Sequence, residues 1–250
     1  MKKRGSDTLL GNVWWVLDPI LQMIVYVAVV AVLGRGLSHP DYPLFIFAAI
    51  LPWKWFSAVV GDATTAIVRQ GQLIRQVAFP KLVLPMATAT AGVVGFVFGL
   101  IPLGALYLFY PQRASLELAW LPVIAIVQFV FTMAMAILVS ALNVFFRDLG
   151  NAVGHLLRLW WFLSPGLYSL QTVHSLGGGK HSLIGILASA NPFAVLFEAY
   201  RAVIYGTADG GLPTSPDLTL LVALLGASLV FVALATLFFK RVEPEFAKLL

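Results

Sequence analysis

Only 11% of the 250 side chains are charged, so each charge set in an apolar stretch is a candidate for chemistry. Lys54 and Asp62 interrupt one such stretch, Glu198 and Arg201 another, and Arg147, His155 and Arg158 cluster around the start of a third. Two guanidinium groups with an imidazole suit the binding of an anion such as phosphate. They do not suit bond-making, because no pair of carboxylates and no nucleophile–base set accompanies them. No catalytic residue is therefore expected. His39, His155, His174 and His181 are scattered and there is no cysteine, so no metal site is expected either. Gly177-Gly178-Gly179-Lys180-His181-Ser182 superficially resembles a phosphate loop. It has His174 where the first glycine belongs and His181 in place of Ser or Thr, so nucleotide binding is not expected there.

The elements that must hold these groups are set by composition. The chain is 60% hydrophobic, with a mean hydropathy of +0.91, and lipid is the solvent for most of its side chains. A net charge of +5 and a pI near 9.6 fit basic loops beside a membrane, and nucleic acid is not an expected partner. No small-residue cleavage site follows Lys2-Lys3-Arg4. Crossing a hydrocarbon core of roughly 30 Å takes about 20 apolar residues in a helix. Spans are expected at about Trp14–Gly34, Phe45–Val68, within Leu82–Gln112, within Leu118–Phe146, at Ala152–Leu170 and at Leu218–Phe239. Residues 182–206 are apolar too, but Asn191-Pro192 breaks them, which predicts two short helices rather than a seventh span.

Charge parity decides between six spans and seven. With six, eleven Lys and Arg residues share the side of both termini, against Arg35, Lys54, Arg113, Lys180 and Arg201 opposite. A seventh span would make the count eight against eight. The positive-inside rule therefore predicts six spans with both termini cytoplasmic. The broken pair then dips in from outside, and Asn191 and Pro192 must pack against other helices, since irregular backbone at that depth needs protein or water around it. Trp53, Trp55 and Trp120 are expected at the outer interface, and Trp14 and Trp15 at the inner one. With Arg69 at the inner surface, Lys54 lies about 22 Å away and snorkels outward, while Asp62, about 10 Å deep, faces protein or water. Glu198 and Arg201 are spaced to pair with each other. Gly95 and Gly99 predict close helix packing, either inside one subunit or between two.

Several strings, in order along nearly the whole chain, resemble one family. Leu10-Gly11-Asn12-Val13-Trp14-Trp15-Val16-Leu17-Asp18-Pro19 is similar to its LG-x-x-WW-x-L-x-P entry to the first span. Ala78-Phe79-Pro80 follows in the first long cytoplasmic loop. Asn143 to Leu149 resembles NVFFRD and its flank, Ser164-Pro165 with Tyr168 resembles SP-x-x-Y, and Asn191-Pro192 resembles the NP of the outer helices. Phe239 to Ala247 resembles the basic-then-acidic ending with FA. The family is the ABC-2-type permeases that export polysaccharides, with the O-antigen branch closest among O-antigen, capsule and teichoic-acid exporters. Its members usually carry a longer N-terminal amphipathic segment, whereas here only residues 1–13 form a short cytoplasmic or interfacial stretch.

The resemblance implies an all-α polytopic fold of the ABC-2 (type V exporter) kind: one transmembrane domain over residues 1–250, with an outer re-entrant pair before the last span. It implies a homodimer in the cytoplasmic (inner) membrane, served by two copies of a separate ATPase that binds the ATP and Mg. This chain would then bind no cofactor and catalyse nothing. It implies that residues 69–81 form a coupling helix seated in an ATPase cleft, through Gln72, Leu73, Ile74, Arg75, Val77 and Phe79. From the residues alone, the same segment fits a basic loop on headgroups equally well. The implied cargo is a polysaccharide linked to undecaprenyl pyrophosphate, which Arg147, His155 and Arg158 could receive. The alternatives are an Arg147–Asp148 loop structure, and Arg158 paired with Asp62 or a lipid phosphate. Trp161 and Tyr168 are candidates to line the channel, Tyr168 because its hydroxyl needs a partner at that depth. Competing readings are an ABC-2 exporter of drugs or small lipids, a multi-pass glycosyltransferase, and a secondary transporter. The last two lack acidic loop clusters and internal repeats, respectively.

Topology is directly testable, because the chain has no cysteine of its own. Single cysteines at Ser175 and Thr214 should label from outside, and those at Gln72 and Lys248 only from inside. Labelling of Thr214 and Lys248 from one side would refute six spans.

Overall fold

The computed structural model of the chain describes residues 13–33, 41–77, 79–179, 181–207 and 210–246, and among them every regular element is helical. The segment 1–12 with Leu10-Gly11-Asn12, the loop residue Ala78, Lys180 and the terminal 247–250 with Lys248 lie outside the described residues. The long helices are α1 (Trp14–Leu33), α2 (Tyr42–Thr64), α5 (Val83–Phe109), α6 (Leu121–Phe145) and α11 (Leu218–Val242). Short helices α3 (Ala66–Arg69) and α4 (Gly71–Gln76) join α2 to α5. Between α6 and α11 lie α7 (Leu149–Leu163), α8 (Leu170–Leu176), α9 (Leu183–Ala190) and α10 (Pro192–Ile204).

The centre is α2. Most of its residues are buried, and α1, α5, α6, α7 and α10 pack around it while α11 packs on α6. Burial on that scale is the mark of a helix that meets protein rather than lipid. Small residues on α5 allow the closest approach: a Cβ at Gly92 would strike Val59, and one at Gly99 would strike Leu51. Gly95 faces Trp15 of α1, at 3.8 Å from its built Cβ. The small-residue stripe thus packs inside one subunit.

Among the described residues, five helices are long and apolar enough to cross a membrane. The expected fifth span is different, because α7 has only 15 residues, about 22 Å. Two distances show that it runs alongside α2. At its start, a Cβ on Gly150 would lie 3.7 Å from Thr65, just past the C-terminal end of α2. Beyond its end, Leu167 O accepts from the hydroxyl of Tyr42, the first residue of α2, at 3.0 Å. Helix α7 and the irregular residues after it therefore match the full length of α2, about 34 Å.

Helices α9 and α10 meet at Asn191 with a bend of 70°. At the N-terminus of α10, Phe193 packs on Trp53 and Phe56, at the middle of α2. At its C-terminus, Tyr205 packs on Phe45, near the N-terminal end of α2. So α10 starts deep and returns to the side it came from, as a re-entrant helix does. The sequence breaks here for a local reason: Pro192 opens α10, and the Asn191 side chain caps it by accepting from Phe193 N at 3.0 Å.

Two of the sequence expectations need correction. Trp53 and Trp55 are 5% exposed and sit in the aromatic core, not at an interface. Lys54 does not snorkel to a surface of its own but reaches the first turns of α1, where its Nζ pairs with Asp18 at 2.6 Å.

The irregular backbone after α7 is held by Arg201. Its guanidinium donates to Pro165 O at 2.7 Å, Gly166 O at 2.5 Å and Tyr168 O at 3.1 Å, and lies 3.9 Å over the Phe45 ring. Glu198, one turn earlier, balances its charge at 3.8 Å. Arg113 does the same beyond α10, donating to the carbonyls of Tyr205, Gly210 and Gly211 and pairing with Asp41 at 3.0 Å. Gly206 turns the chain there at φ +112°, where a side chain would strike Gly211 O. Replacing Arg201 by Met leaves three carbonyls unsatisfied, and Lys offers no planar fork to replace it. Both variants should melt well below the parent in detergent, with a loss of about 3 kcal/mol or more for Met and less for Lys. A melting curve that does not move would remove the joint from the account.

Candidate functional site

The expected coupling segment is a short turn of helix hung below α2 and α5. Gln70 precedes α4 without a side-chain cap, so tertiary contacts must hold these six residues. Ile74 provides them. It is 6% exposed, in a cluster with Ile67, Ile137, Val144, Phe239 and Phe246. Phe79 and Leu82 border that cluster. By contrast Leu73 is 42% and Val77, just past the helix, 51% exposed, beside the exposed Gln72 and Arg75. The apolar set read from the sequence is therefore split. Ile74 cannot fill a partner's cleft, because its side chain already fills its own subunit's core. Leu73 and Val77 are free to do so.

The C-terminal residues brace this turn, a role the sequence reading missed. Lys81 N donates to Glu243 Oε1 at 2.9 Å, Lys81 Nζ reaches Glu243 O at 3.4 Å, and the wholly buried Phe246 packs on Phe239. The signal was the basic-then-acidic tail itself, whose glutamate answers a lysine at the end of the loop.

The second group lies along α7. Val153, Leu157 and Trp161 face the bundle, while Asn151, His155, Arg158 and Phe162 are exposed on the opposite face. Arg158 stands about 13 Å into the helix and one turn beyond His155. Arg147 is exposed in the turn that precedes α7, and it has an interaction partner of its own. The structure therefore brings His155 and Arg158 onto one face, with Arg147 at its inner end.

Both proposed channel residues are engaged inside the subunit. Trp161 is 3% exposed, packed on Tyr26, Trp53 and Phe197, so it cannot line a path on the subunit surface. The Tyr168 hydroxyl finds its partner locally, donating to Phe162 O at 3.1 Å, a carbonyl left over where α7 ends. Phe162, 57% exposed, and Leu159, 61% exposed, are the surface groups the sequence did not single out. Asn191 and Ser164 prove to be one joint. Asn191 Nδ2 donates to Ser164 Oγ at 2.8 Å, and Trp160 Nε1 donates to Asn191 Oδ1 at 3.2 Å. No group of three or more His, Cys, Asp or Glu that could hold a metal occurs among the described residues.

Comparison with known proteins agrees with this architecture. Residues 1–205 match the family model described as ABC-2 type transporter. The chain is 34% identical over 248 residues to the O-antigen export system permease protein RfbA of Myxococcus xanthus, covering 99% of this chain and 91% of that one. Two proteins of the same name from Klebsiella pneumoniae are 28% and 30% identical over 202 and 203 residues, each covering 80% of this chain and 75% of the relative. This multi-pass helical membrane protein belongs to the ABC-2 type transporter family.

Proposed function

We propose that the chain is the membrane subunit of an exporter for a lipid-linked polysaccharide of the O-antigen kind, working as a homodimer with two copies of a separate ATPase. The cargo class is supported by the names of the relatives and by a subunit surface that fits such a cargo. The observation that carries the mechanism is the split of α4: Leu73 and Val77 outside, Ile74 inside.

A push on the outer side of α4 is passed by Ile74 into the cluster it shares with α3, α6 and α11. Close-packed side chains transmit such a displacement because they leave no void to absorb it. On this reading Gln72, Leu73, Arg75, Val77 and Phe79 meet the ATPase, which holds the ATP and Mg. Both termini and the 69–81 turn lie on the cytoplasmic side of the inner membrane, where basic residues collect.

The unpartnered face of α7 is the best wall for a path between two subunits. Along it run first His155 and Arg158 and then the apolar Leu159 and Phe162. A guanidinium at that depth needs an anion or water, and a pyrophosphate head entering from the cytoplasmic leaflet supplies the first. Arg147 stands where that head would arrive. The rings of Phe162 in two subunits offer flat apolar faces to sugars passing outward.

Two substitutions test the two halves of the proposal. Leu73→Asp with Val77→Asp should leave insertion and dimerisation intact and weaken ATPase co-purification at least about tenfold, the scale of a lost hot spot. Ile74→Asp should instead lower the melting temperature of the permease itself, by burying an unpaired charge. Unchanged ATPase binding in the double variant would place the contact elsewhere. Arg158→Ala should lower export at equal membrane abundance, and Arg158→Lys should restore part of it, keeping the charge without the fork. Normal export by Arg158→Ala would end the pyrophosphate role.

A further inference from the structure

The face of α7 that holds His155 and Arg158 also carries a gap. Gly154 is exposed on it, and a Cβ built there meets no atom within 4 Å. Glycine in the middle of a helix is less stable than alanine, and here no neighbour in the subunit requires it. Gly61 on α2, Gly104 on α5 and Gly226 on α11 are as open. The polar side chains one turn from them, Ser57, Thr64, Thr65 and Tyr107, all donate to backbone carbonyls. Gly154 differs. Asn151 and Arg158 stand one turn to either side of it, and His155 follows it directly. Among the described residues, none of these three side chains has a hydrogen bond or an ion pair.

A helical side chain leans toward the N-terminus of its helix, which carries the guanidinium of Arg158 over the turn of Gly154. The missing side chain leaves an open floor beneath that fork. We propose that Gly154 and Arg158 together form the seat of the cargo's pyrophosphate, with Gly154 the position that sets which head is admitted. The inference rests on the pyrophosphate reading of Arg158 and adds to it a residue that has no side-chain donor. Two phosphoryl groups need depth between the guanidinium and the helix, and a methyl group at 154 would stand in it. The fork of Arg158 takes two oxygens of one phosphoryl group. His155 and Asn151 offer donors to the other. A membrane phospholipid brings a single phosphate with one negative charge and leaves the second set of donors unused.

The test is native mass spectrometry of the purified full-length permease offered equal amounts of farnesyl pyrophosphate and phosphatidylglycerol. The parent should retain the pyrophosphate over phosphatidylglycerol by roughly tenfold, the scale of one further charge-assisted hydrogen bond. Gly154→Ala should weaken pyrophosphate retention by roughly the same factor. Its melting temperature should stay level or rise, because alanine is the better helix former. Gly226→Ala, the same change at an open glycine without polar neighbours, should keep the parent's retention. Parental retention in Gly154→Ala would overturn the seat. If Arg158→Ala then loses retention, the pyrophosphate role of Arg158 stands without the seat, and if it does not, that role falls too. Equal retention of the two probes by the parent, or none, would overturn both. A lower melting temperature or a lost dimer in Gly154→Ala would assign the glycine to a contact between two copies and overturn the proposal.

Discussion

Backbone at membrane depth must satisfy its own hydrogen bonds, and this chain breaks a helix there. The carbonyls of Pro165, Gly166 and Tyr168 have no helical partner, and lipid offers none. Arg201 supplies all three from α10 with a single guanidinium, itself 2% exposed and balanced by Glu198. Much of the outer half follows from that bond set. It ties the end of α7 to the re-entrant helix, and Asn191, Ser164 and Trp160 close the same joint from below. Arg113 repeats the solution at the other end of α10. Arg201 inside the apolar segment and Arg113 in the turn after α5, each of which looks costly alone, are what allow that segment to be irregular.

The joint also fixes which way α7 faces. With Trp161 locked among Tyr26, Trp53 and Phe197, the opposite face of the helix must look out of the subunit. That is the face of His155 and Arg158. The inner half of the molecule is organised by a different cluster, in which Ile74, Phe239 and Phe246 pack together. Both halves lean on α6, which carries Phe131 in the upper core and Ile137 and Val144 in the lower. A displacement at α4 therefore has a continuous packed route toward the outer joint.

Much of this was legible in the sequence, and the limits have physical causes. Apolar length located the spans, and proline with a capping asparagine located the re-entrant break. The shortness of α7 was not legible, because apolar residues continue through Ser164-Pro165 and hydropathy cannot tell helix from satisfied irregular backbone. The tryptophans misled for a related reason. An aromatic in a span serves a belt or a core equally well, and only the clustering of Trp53 with Phe193 and Phe197 decides. In the coupling segment composition gave the apolar set, but its division into inside and outside depends on where Phe246 lands, more than 160 residues later. Arg201 was visible as a charge in an apolar helix, and its i,i+3 glutamate drew attention away from the carbonyls it serves.

The most direct measurement is a cross-link between two copies of the chain. A single cysteine at Phe162, on the exposed face of α7, should be joined across the dimer by a short bis-maleimide in native membranes. A cysteine at Val97, exposed on α5, should stay monomeric under the same treatment. Efficient cross-linking at Phe162 alone is what the orientation of α7 predicts for a path between subunits. A dimer joined through Val97, with Phe162 unreactive toward its counterpart, would turn the basic face of α7 to lipid and contradict the account.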